Sequence, residues 1–226
     1  MMNRTGSKLP TTLATKPAIL IHPKALVEST RLGSGTRVWA FAHVMKDAEI
    51  GSGCNIGDHV FIESHARLGN NVTVKNGVSV WDGVVIEDDV FLGPNVALTN
   101  DPNPRAEIKK PREQWLGTRI EKGATIGANA TLLCGITIGS YAFIAAGTVV
   151  TRDVPAHALI MGVPGRSAGW MCRCATRLRV QRNEATCANC GRQYLKDANG
   201  MREQSAKPRV SKNHLLPSKS RRRKIE

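Results

Sequence analysis

Four cysteines towards the C-terminal end of the chain have the spacing of a metal site. They form a C-x-C pair and, twelve residues later, a C-x-x-C pair: Cys172, Cys174, Cys187 and Cys190. Four thiolates suit tetrahedral Zn²⁺, and the segment between the pairs is too polar to fold around a core of its own. The pattern therefore predicts a closed, structural zinc site. Disulfides are the alternative, although nothing in the sequence indicates an oxidising compartment.

A second group of polar side chains lies in one stretch, residues 99–117, where a regular apolar pattern is interrupted. This stretch contains Asn100, Asp101, Arg105 and Lys110. An amide, a carboxylate and two cations can bind a polar ligand through hydrogen bonds and ion pairs. Polar loops on rigid scaffolds commonly carry functional sites, and a tolerated surface insertion is the alternative interpretation.

The element that must position these groups is a repeat of six residues. Apolar residues occupy every sixth position from Leu20 to Leu98, and the series resumes from Ile120 to Val150. A small apolar residue, such as Ala42, follows four residues after most of them. Six residues suit a short strand and a tight corner, and three such units make one triangular coil. The period therefore predicts an all-β parallel solenoid with one apolar side chain per strand pointing inward.

Several of these apolar positions are followed directly by glycine, as at Gly51, Gly57 and Gly69, where a corner leaves little room for a side chain. Together with the small apolar residues, they resemble the left-handed parallel β-helix of the hexapeptide-repeat acyltransferases. The resemblance covers residues 18–168, with the stretch 99–117 as an inserted loop. The left-handed sense of the helix is implied by this resemblance alone.

Composition divides the remainder of the chain into three segments. Residues 1–17 are polar and lack the apolar stretch of a signal peptide, which predicts a disordered extension. Residues 169–195 contain the four cysteines and resemble a zinc-ribbon knuckle. Residues 196–226 have almost no apolar pattern, which predicts a disordered basic tail.

The charge of the chain is concentrated in that tail. The net charge is +14, and the segment from Gly191 to Glu226 has eleven basic and three acidic residues. A solvated tail is one interpretation, and weak contact with nucleic acid or an anionic membrane surface is the other. No stretch approaches the roughly 18 apolar residues of a membrane span, so we expect no transmembrane segment and a cytoplasmic location.

Several motifs in the solenoid resemble, in their order and spacing, one subgroup of these acyltransferases. The motifs are Val38–His43, Val78–Asp82, Ile86–Pro94, Leu98–Asp101, Asn103–Arg105 and Gly162–Arg166. The subgroup N-acetylates nucleotide-linked amino sugars, notably 3-amino-2-acetamido uronates on UDP and 3-amino-6-deoxyhexoses on dTDP. The resemblance implies a homotrimer that binds acetyl-CoA in a groove between neighbouring solenoids. It also implies a product used in surface-polysaccharide synthesis.

The resemblance also implies roles for the polar residues. Asn100 would hold the sugar amine or its ring substituents, and Asp82, Asp101, Arg105 and Lys110 would line the same pocket. Arg105 or Lys110 could then pair with a uronate carboxylate or with a phosphate.

Histidine is the usual general base in acyl transfer, and His43 and His59 are the first candidates. His59 and His65 occupy the same place in successive hexads, so they lie on different faces of a three-sided coil. A sugar amine with a pKa near 8 is already about one-tenth free base at pH 7, so a base contributes only about 1.4 kcal/mol. A histidine base is therefore useful but dispensable, and a hydrogen-bonded corner histidine is the alternative.

Small residues in the later coils are expected to form the acetyl-CoA wall, because bare backbone lets the pantetheine arm approach closely. They are Gly127, Ala128, Ala145, Ala146 and Gly147. Pro164 and Arg166 could meet the adenosine phosphates. Corner geometry alone would also explain the glycines.

Two other functions remain open at this point. An O-acetyltransferase that acts on a sugar or serine hydroxyl would need a true base, so the loss of one histidine should abolish its activity. A non-catalytic structural solenoid would not need the polar insertion, and the insertion therefore argues against it.

Overall fold

A computed structural model describes residues 17–204 of the chain. The predicted N-terminal extension, up to residue 16, and the tail from residue 205 onward lie outside the described residues. Within the described part, no helix is long and apolar enough to cross a membrane. The cytoplasmic location stays a prediction.

Short strands that follow one another at corners make up the first part of the fold. They are β1 Leu20–Ile21, β2 Leu26–Val27, β3 Arg37–Val38, β4 His43–Val44, β5 Glu49–Ile50, β6 Asn55–Ile56, β7 Phe61–Ile62, β8 Arg67–Leu68, β9 Thr73–Val74, β10 Ser79–Val80, β11 Val85–Ile86, β12 Phe91–Leu92, β13 Ala97–Leu98, β14 Arg119–Ile120, β15 Thr125–Ile126, β16 Thr131–Leu132, β17 Thr137–Ile138, β18 Phe143–Ile144 and β19 Val149–Val150. One 3₁₀ turn, Arg112–Gln114, lies in the inserted loop.

These strands form three parallel sheets, one for each side of a triangular coil. Face A contains β1, β3, β6, β9, β12, β15 and β18, face B contains β2, β4, β7, β10, β13, β16 and β19, and face C contains β5, β8, β11, β14 and β17. Within a face, residues 18 apart pair in register, for example Phe61 with Ser79. The predicted parallel solenoid is confirmed, and it is consistent with a left-handed β-helix of hexapeptide repeats.

The apolar side chains at every sixth position form the core of the solenoid. Val38, Ile56, Ile126 and Ile144 are fully buried. The small residues between them, such as Ala66, are buried as well. Each coil therefore repeats the same aliphatic contacts above and below it, which is why one period persists along the fold.

The repeat slips by one residue in the first coil, where the predicted register is wrong. Ile21, and not Leu20, pairs with the buried Val38. Leu26 is likewise paired with an outward-facing residue, and Leu20 and Leu26 are 47% and 55% exposed. Both side chains face outward because the first coil is one residue shorter than the later ones, with partners 17 residues apart instead of 18.

Glycine is required where two coils approach closely at a corner. A Cβ on Gly51 would lie 2.4 Å from the carbonyl oxygen of Gly69. No side chain fits at this distance from backbone, since real Cβ atoms do not come so close to other heavy atoms. The glycines after the apolar positions therefore allow the corners to stack.

The described part of the chain, up to residue 204, finishes with antiparallel structure that closes the solenoid. The strands are β20 Ala158–Met161, β21 Arg166–Met171, β22 Arg177–Leu178, β23 Glu184–Thr186, β24 Gln193–Asp197 and β25 Gly200–Glu203. β20 extends face A, pairing parallel with β18 and antiparallel with β21. We refer to residues 172–204, which include the four cysteines, as the cysteine module.

The cysteine module extends further than the sequence predicts. The disordered tail is expected from residue 196, but β25 covers Gly200–Glu203 and pairs with β24. Tyr194 and Met201 are both buried in a small second core. The short apolar contacts of this hairpin are too few to be visible as a pattern in the sequence, and this boundary of the prediction is wrong.

Candidate functional site

The inserted loop leaves face B after β13 and returns to face C at β14. Its two ends are held together because the N–H of Leu116 donates to the carbonyl of Asn100 at 2.8 Å. At its exit the loop touches the preceding coil, since a Cβ on Gly117 would lie 2.2 Å from the oxygen of Gly83. The loop is therefore anchored on the same corner as Gly83.

An ion pair attaches the loop to the solenoid beside this anchor. Arg112 donates from Nη2 to Oδ1 of Asp82 at 2.8 Å, and its Nε pairs with the second carboxylate oxygen. The Asp82 side chain is only 10% exposed. Glu63 accepts a hydrogen bond from the backbone N–H of Asp82 at 2.8 Å. The contact with Asp82 raises the pKa of Arg112, so this guanidinium stays charged.

An open cavity lies at this ion pair. Its volume is about 290 Å³, and it is lined by Asp82, Gly83, Arg112, Glu113 and Trp115. The walls combine two carboxylates, one guanidinium and the face or edge of an indole. Such a cavity can hold a polar ring that carries an amino group, because hydrogen-bond acceptors and an apolar surface lie together.

A second ion pair orders the first half of the loop. Lys110 pairs with Oδ1 of Asp101 and also donates to the carbonyl of Asn103 at 2.8 Å. Asp101 accepts a further bond from the N–H of Asn103 at 2.9 Å. The hydrogen bond from Lys110 lowers the pKa of Asp101, followed in size by the bond from Asn103. Both side chains therefore have partners within the loop.

The predicted substrate residues thus separate into distinct groups. Asp82 lines the cavity, whereas Asp101 and Lys110 bind each other. Asn100 lies at the base of the loop, closely after β13. β13 pairs with β10, the strand that precedes Asp82. Arg105 is exposed and forms no ion pair within residues 17–204, so its guanidinium is available to an anion.

Sequence reasoning missed two residues of this site, Arg112 and Glu63. Arg112 is one of several cations in the loop, and nothing in its spacing distinguishes it from the others. Residues 18 apart lie next to each other in consecutive coils. This spacing is the signal that could have placed Glu63 beside residue 81 and its neighbour Asp82.

His43 is on face B and is oriented by an acid. Its Nε2 lies 2.8 Å from Oε1 of Glu28. Its ring packs edge-on against Phe61 at 5.4 Å between centroids, and Phe61 lies 5.8 Å from Trp81. The rings of Phe61 and Trp81 therefore lie between His43 and the Asp82 cavity of the same chain.

His59 is at a corner and not on a face. It has a left-handed φ of 56° and stacks on Phe41 at 5.0 Å between ring centroids. Lys24 lies over the Phe41 ring at 5.5 Å. Within residues 17–204 no acidic side chain is hydrogen-bonded to His59, in contrast with His43.

The residues expected to wall acetyl-CoA lie in two consecutive coils. A Cβ on Gly127 would lie 2.4 Å from the backbone N of Ala146, so Gly127 is required by corner stacking. Gly147 has a φ of 68° and open space where its Cβ would be. Ala128 and Ala145 are half-buried, and Ala146 is exposed.

The turn that precedes β21 is close to these coils in the chain. Pro164 follows a cis peptide bond from Val163, and Val163 is 72% exposed. Arg166 is exposed and donates to the carbonyl of Gly165 at 3.0 Å. An exposed guanidinium next to an exposed apolar turn can contact a phosphorylated ligand.

The four cysteines of the module lie together as a candidate metal centre. Their Sγ atoms are all within 4.8 Å of one another, with 3.5 Å between Cys172 and Cys190 and 3.6 Å between Cys174 and Cys187. A zinc ion with Zn–S bonds of about 2.3 Å requires S–S separations of about 3.8 Å in a tetrahedron. All six cysteines are free thiols, so the disulfide alternative does not describe this structure.

Polar groups surround the sulfur atoms on several sides. The Tyr194 hydroxyl lies 3.1 Å from Sγ of Cys172, and the amide of Asn189 donates to Sγ of Cys174 at 3.7 Å. Burial raises the pKa of Cys172 to about 12. Burial acts in the same direction on Cys174, but its hydrogen bonds with Thr176, Asn189 and the neighbouring thiols lower its pKa to about 6.

Comparison with known proteins gives a family and several relatives. The family described as bacterial transferase hexapeptide (six repeats) matches residues 29–64, 65–100 and 117–152. A dTDP-3-amino-3,6-dideoxy-alpha-D-galactopyranose 3-N-acetyltransferase from Aneurinibacillus thermoaerophilus is 50% identical over 82 residues, which are 36% of this chain and 42% of that protein. The chain therefore matches less than half the length of this curated relative.

Two further proteins are similar to parts of the chain. A 2,3,4,5-tetrahydropyridine-2,6-dicarboxylate N-acetyltransferase from Enterococcus faecalis is 51% identical over 47 residues, 21% of this chain and 20% of that one. PerB from Caulobacter crescentus, whose crystal structure contains CoA and GDP-perosamine, is 26% identical in sequence to this chain. The match covers 68% of this chain and 58% of the PerB chain, with a TM-score of 0.44. The matched repeats coincide with the coils of the solenoid, and the chain belongs to the hexapeptide-repeat transferase family.

Proposed function

We propose that this protein transfers the acetyl group of acetyl-CoA to the amino group of a nucleotide-linked amino sugar. The observation that carries the proposal is the polar loop, which is anchored to the hexapeptide solenoid at Asp82. The cavity at this anchor offers hydrogen-bond acceptors for the amine of a substrate. The partial likeness to the Aneurinibacillus thermoaerophilus enzyme, which acts on a dTDP-linked amino sugar, supports this substrate class.

The reaction needs orientation more than proton removal. The sugar nitrogen attacks the thioester carbonyl carbon, the C–S bond breaks, and the nitrogen loses one proton while the CoA sulfur leaves as a thiolate. An amine with a pKa near 8 is about one-tenth neutral at pH 7, so the free base is already available. Positioning of the two reactants and hydrogen bonds to the thioester oxygen then supply most of the rate increase.

Residues around the loop have separate roles in this proposal. Asn100 holds the amine or its ring substituents beside the cavity. Arg112 neutralises Asp82, and the remaining carboxylates of Glu63 and Glu113 give a net negative charge that attracts an ammonium group before it loses its proton. Arg105 has no acidic partner in the described chain, so it is better suited than Lys110 to pair with a phosphate or a carboxylate of the substrate.

Acetyl-CoA lies along Gly127, Ala128, Ala145, Ala146 and Gly147 in this proposal, with Arg166 and the Pro164 turn at its phosphates. The open backbone at Gly147 supports this assignment. The groove is completed by a neighbouring solenoid of a homotrimer, as the resemblance of the sequence implies. Use of the product in surface-polysaccharide synthesis follows from the same resemblance.

We also infer that the four cysteines hold one structural Zn²⁺. The distances between the sulfur atoms are close to those of a tetrahedral site, and no position on the metal remains open for catalysis. Metal analysis of the purified chain tests this directly, and the substitution Cys187→Ser should abolish zinc binding. The Cys134→Ser variant is the control, because Cys134 lies outside the cluster.

Release of CoA thiol from acetyl-CoA tests the activity. The acceptors are UDP- and dTDP-linked amino sugars, and the variants are Asn100→Ala and the exposed loop control Glu107→Gln. We expect turnover with at least one amino sugar, a loss of about tenfold or more with Asn100→Ala and little change with Glu107→Gln. No CoA release with any amine from folded protein would contradict the proposal.

The Glu28–His43 pair favours one second candidate, O-acetylation of a hydroxyl. A hydroxyl is not nucleophilic at pH 7 without a base, and an imidazole oriented by a carboxylate is a suitable one. The variant His43→Gln separates the two functions. O-acetylation would lose about a hundredfold or more in kcat, whereas amine acetylation would lose about tenfold at most.

A further inference from the structure

The cysteine module is joined to the last coil by backbone bonds. The N–H of Ala156 donates to the carbonyl of Asn199 at 3.2 Å, and the N–H of Met201 donates to the carbonyl of Ala156 at 3.1 Å. A Cβ on Gly200 would lie 2.4 Å from the oxygen of Ala156. The β24–β25 hairpin therefore lies directly on the open end of the solenoid, as close as backbone atoms can approach.

A chain of aromatic rings leads from the sulfur atoms to a corner of the solenoid. The Tyr194 hydroxyl contacts Sγ of Cys172 and accepts from the N–H of Arg173 at 3.1 Å. The Tyr194 ring packs edge-on against His157 at 5.0 Å, and His157 stacks on Tyr141 at 5.2 Å. Each ring in this series is in contact with the next, from the cysteine cluster to the corner before β18.

His157 is fixed on both sides by Met171, the residue before the first cysteine. The N–H of Met171 donates to the carbonyl of His157 at 2.8 Å, and Nδ1 of His157 donates to the carbonyl of Met171 at 2.9 Å. His157 is 4% exposed. The position of Cys172 and the position of His157 are therefore determined together.

The same segment supports the coil expected to bind acetyl-CoA. β20 follows His157 and pairs in parallel with β18, and the N–H of Ala145 donates to the carbonyl of Ile160 at 2.9 Å. Ala145 and Ala146 follow β18 directly. A displacement of β20 would therefore move the backbone that faces acetyl-CoA.

From these contacts we propose that a metal ion on the four cysteines holds β20 in place through Tyr194 and His157, and so maintains the wall for acetyl-CoA. Tyr194 and His157 are positioning residues in this inference, since neither touches a substrate. The part that concerns acetyl-CoA rests on the proposed function and on the proposed zinc site. The part that concerns order in the last coil does not depend on catalysis.

Hydrogen exchange on the full-length chain tests the inference without an activity assay. The zinc-loaded protein is compared with the same protein after chelation, and exchange is followed in peptides covering residues 141–161 and, as an internal control, residues 37–62. We expect metal removal to speed exchange about tenfold or more in 141–161 and to leave 37–62 unchanged, because opening of the cap is local.

Two variants distinguish the metal from its surroundings. Cys187→Ser should reproduce the effect of chelation, whereas Cys134→Ser should match the wild type. Tyr194→Phe keeps the four thiols and the ring but removes the hydroxyl next to Cys172. It should keep the metal and show a smaller increase of exchange in 141–161, with a rise of about threefold or more in KM for acetyl-CoA at nearly constant kcat.

Equal exchange in 141–161 with and without metal would overturn the inference. So would a zinc-treated wild type that holds no metal. A wild type that binds no acetyl-CoA, yet loses order in 141–161 on chelation, would overturn the proposed function and leave the link between the metal and the last coil supported.

Discussion

The solenoid and the cysteine module are stabilised in different ways. In the solenoid, side chains such as Ile56 and Ile126 are fully buried in one continuous core that repeats from coil to coil. The second core, in the module, contains Cys172, Leu178, Ala185, Cys187, Tyr194 and Met201. Two of these residues are cysteines of the candidate metal centre, so the module has few ordinary apolar contacts.

The difference shows how segment length determines the source of stability. A repeat buries a nearly constant apolar area with each added coil, at roughly 25 cal/mol per Å². A segment of about 30 residues cannot bury enough area to offset the conformational entropy of its backbone, so such segments rely on a metal or on cross-links. The solenoid needs no ligand to fold by this argument, and the module does.

The largest expected effect comes from removing a core side chain of the solenoid. Ile126→Ala should lower the free energy of unfolding by about 2–5 kcal/mol, since the cavity cannot collapse between two stacked coils. Leu178→Ala is the matched change in the module and should cost less, because local opening of the module limits the loss. Urea unfolding followed by circular dichroism measures both, and equal costs would contradict the difference between the two regions.

A smaller effect is expected at the corners of the solenoid. Gly51→Ala should cost about 3 kcal/mol, because its Cβ would overlap the backbone of Gly69 in the next coil. Gly53→Ala should cost about 1 kcal/mol, since Gly53 has a φ of 71° but open space around its Cβ. Thermal unfolding of the two variants compares them, and the reverse order would show that coil stacking is not the constraint.

The junction between the two regions should respond to pH through His157. Burial lowers the pKa of His157 in the folded chain, so the unfolded chain takes up a proton more readily below the ordinary value of about 6.5. Stability from this group is present at neutral pH and is lost as the pH falls below that value. His157→Phe should reduce the fall in unfolding free energy between about pH 7 and pH 5.

The pKa of Cys174, about 6, falls in the same range, so a control is needed. The metal content of both chains is measured at each pH, and the two chains are compared only over the pH range in which both keep their metal. If the two pH profiles were parallel there, His157 would not be the titrating group.

The smallest expected effect concerns two buried hydroxyls in the solenoid. The Oγ1 atoms of Thr118 and Thr148 are buried without a hydrogen-bond partner in the described structure. Thr148→Val replaces the hydroxyl by a methyl group of similar size and should be neutral or stabilising by about 1 kcal/mol. A clear loss of stability, measured by thermal unfolding, would show that this hydroxyl has a partner.

The sequence alone determined the repeat and the cysteine cluster. A period of six residues is sufficient because the strands from β3 to β19 pair with strands one coil away, 18 residues along the chain or 34 across the inserted loop. The prediction was wrong only where this equivalence ends, at Leu20 and Leu26 in the first coil and beyond residue 195 in the module. The four cysteine sulfur atoms lie within 4.8 Å of one another, and a metal ion bound to them stays a prediction.

Tertiary structure alone decided the composition of the candidate site. The pairing of Arg112 with Asp82, of Lys110 with Asp101 and of His43 with Glu28 depends on contacts that no local pattern encodes. The first depends on how the irregular loop folds back on a coil, the second on how the loop folds on itself, and the third on a register slip that brings residues 15 apart together. Contacts between similar coils recur, so the structure of a repeat can be predicted from its sequence. The candidate site forms where neighbouring segments differ from one another, so it cannot.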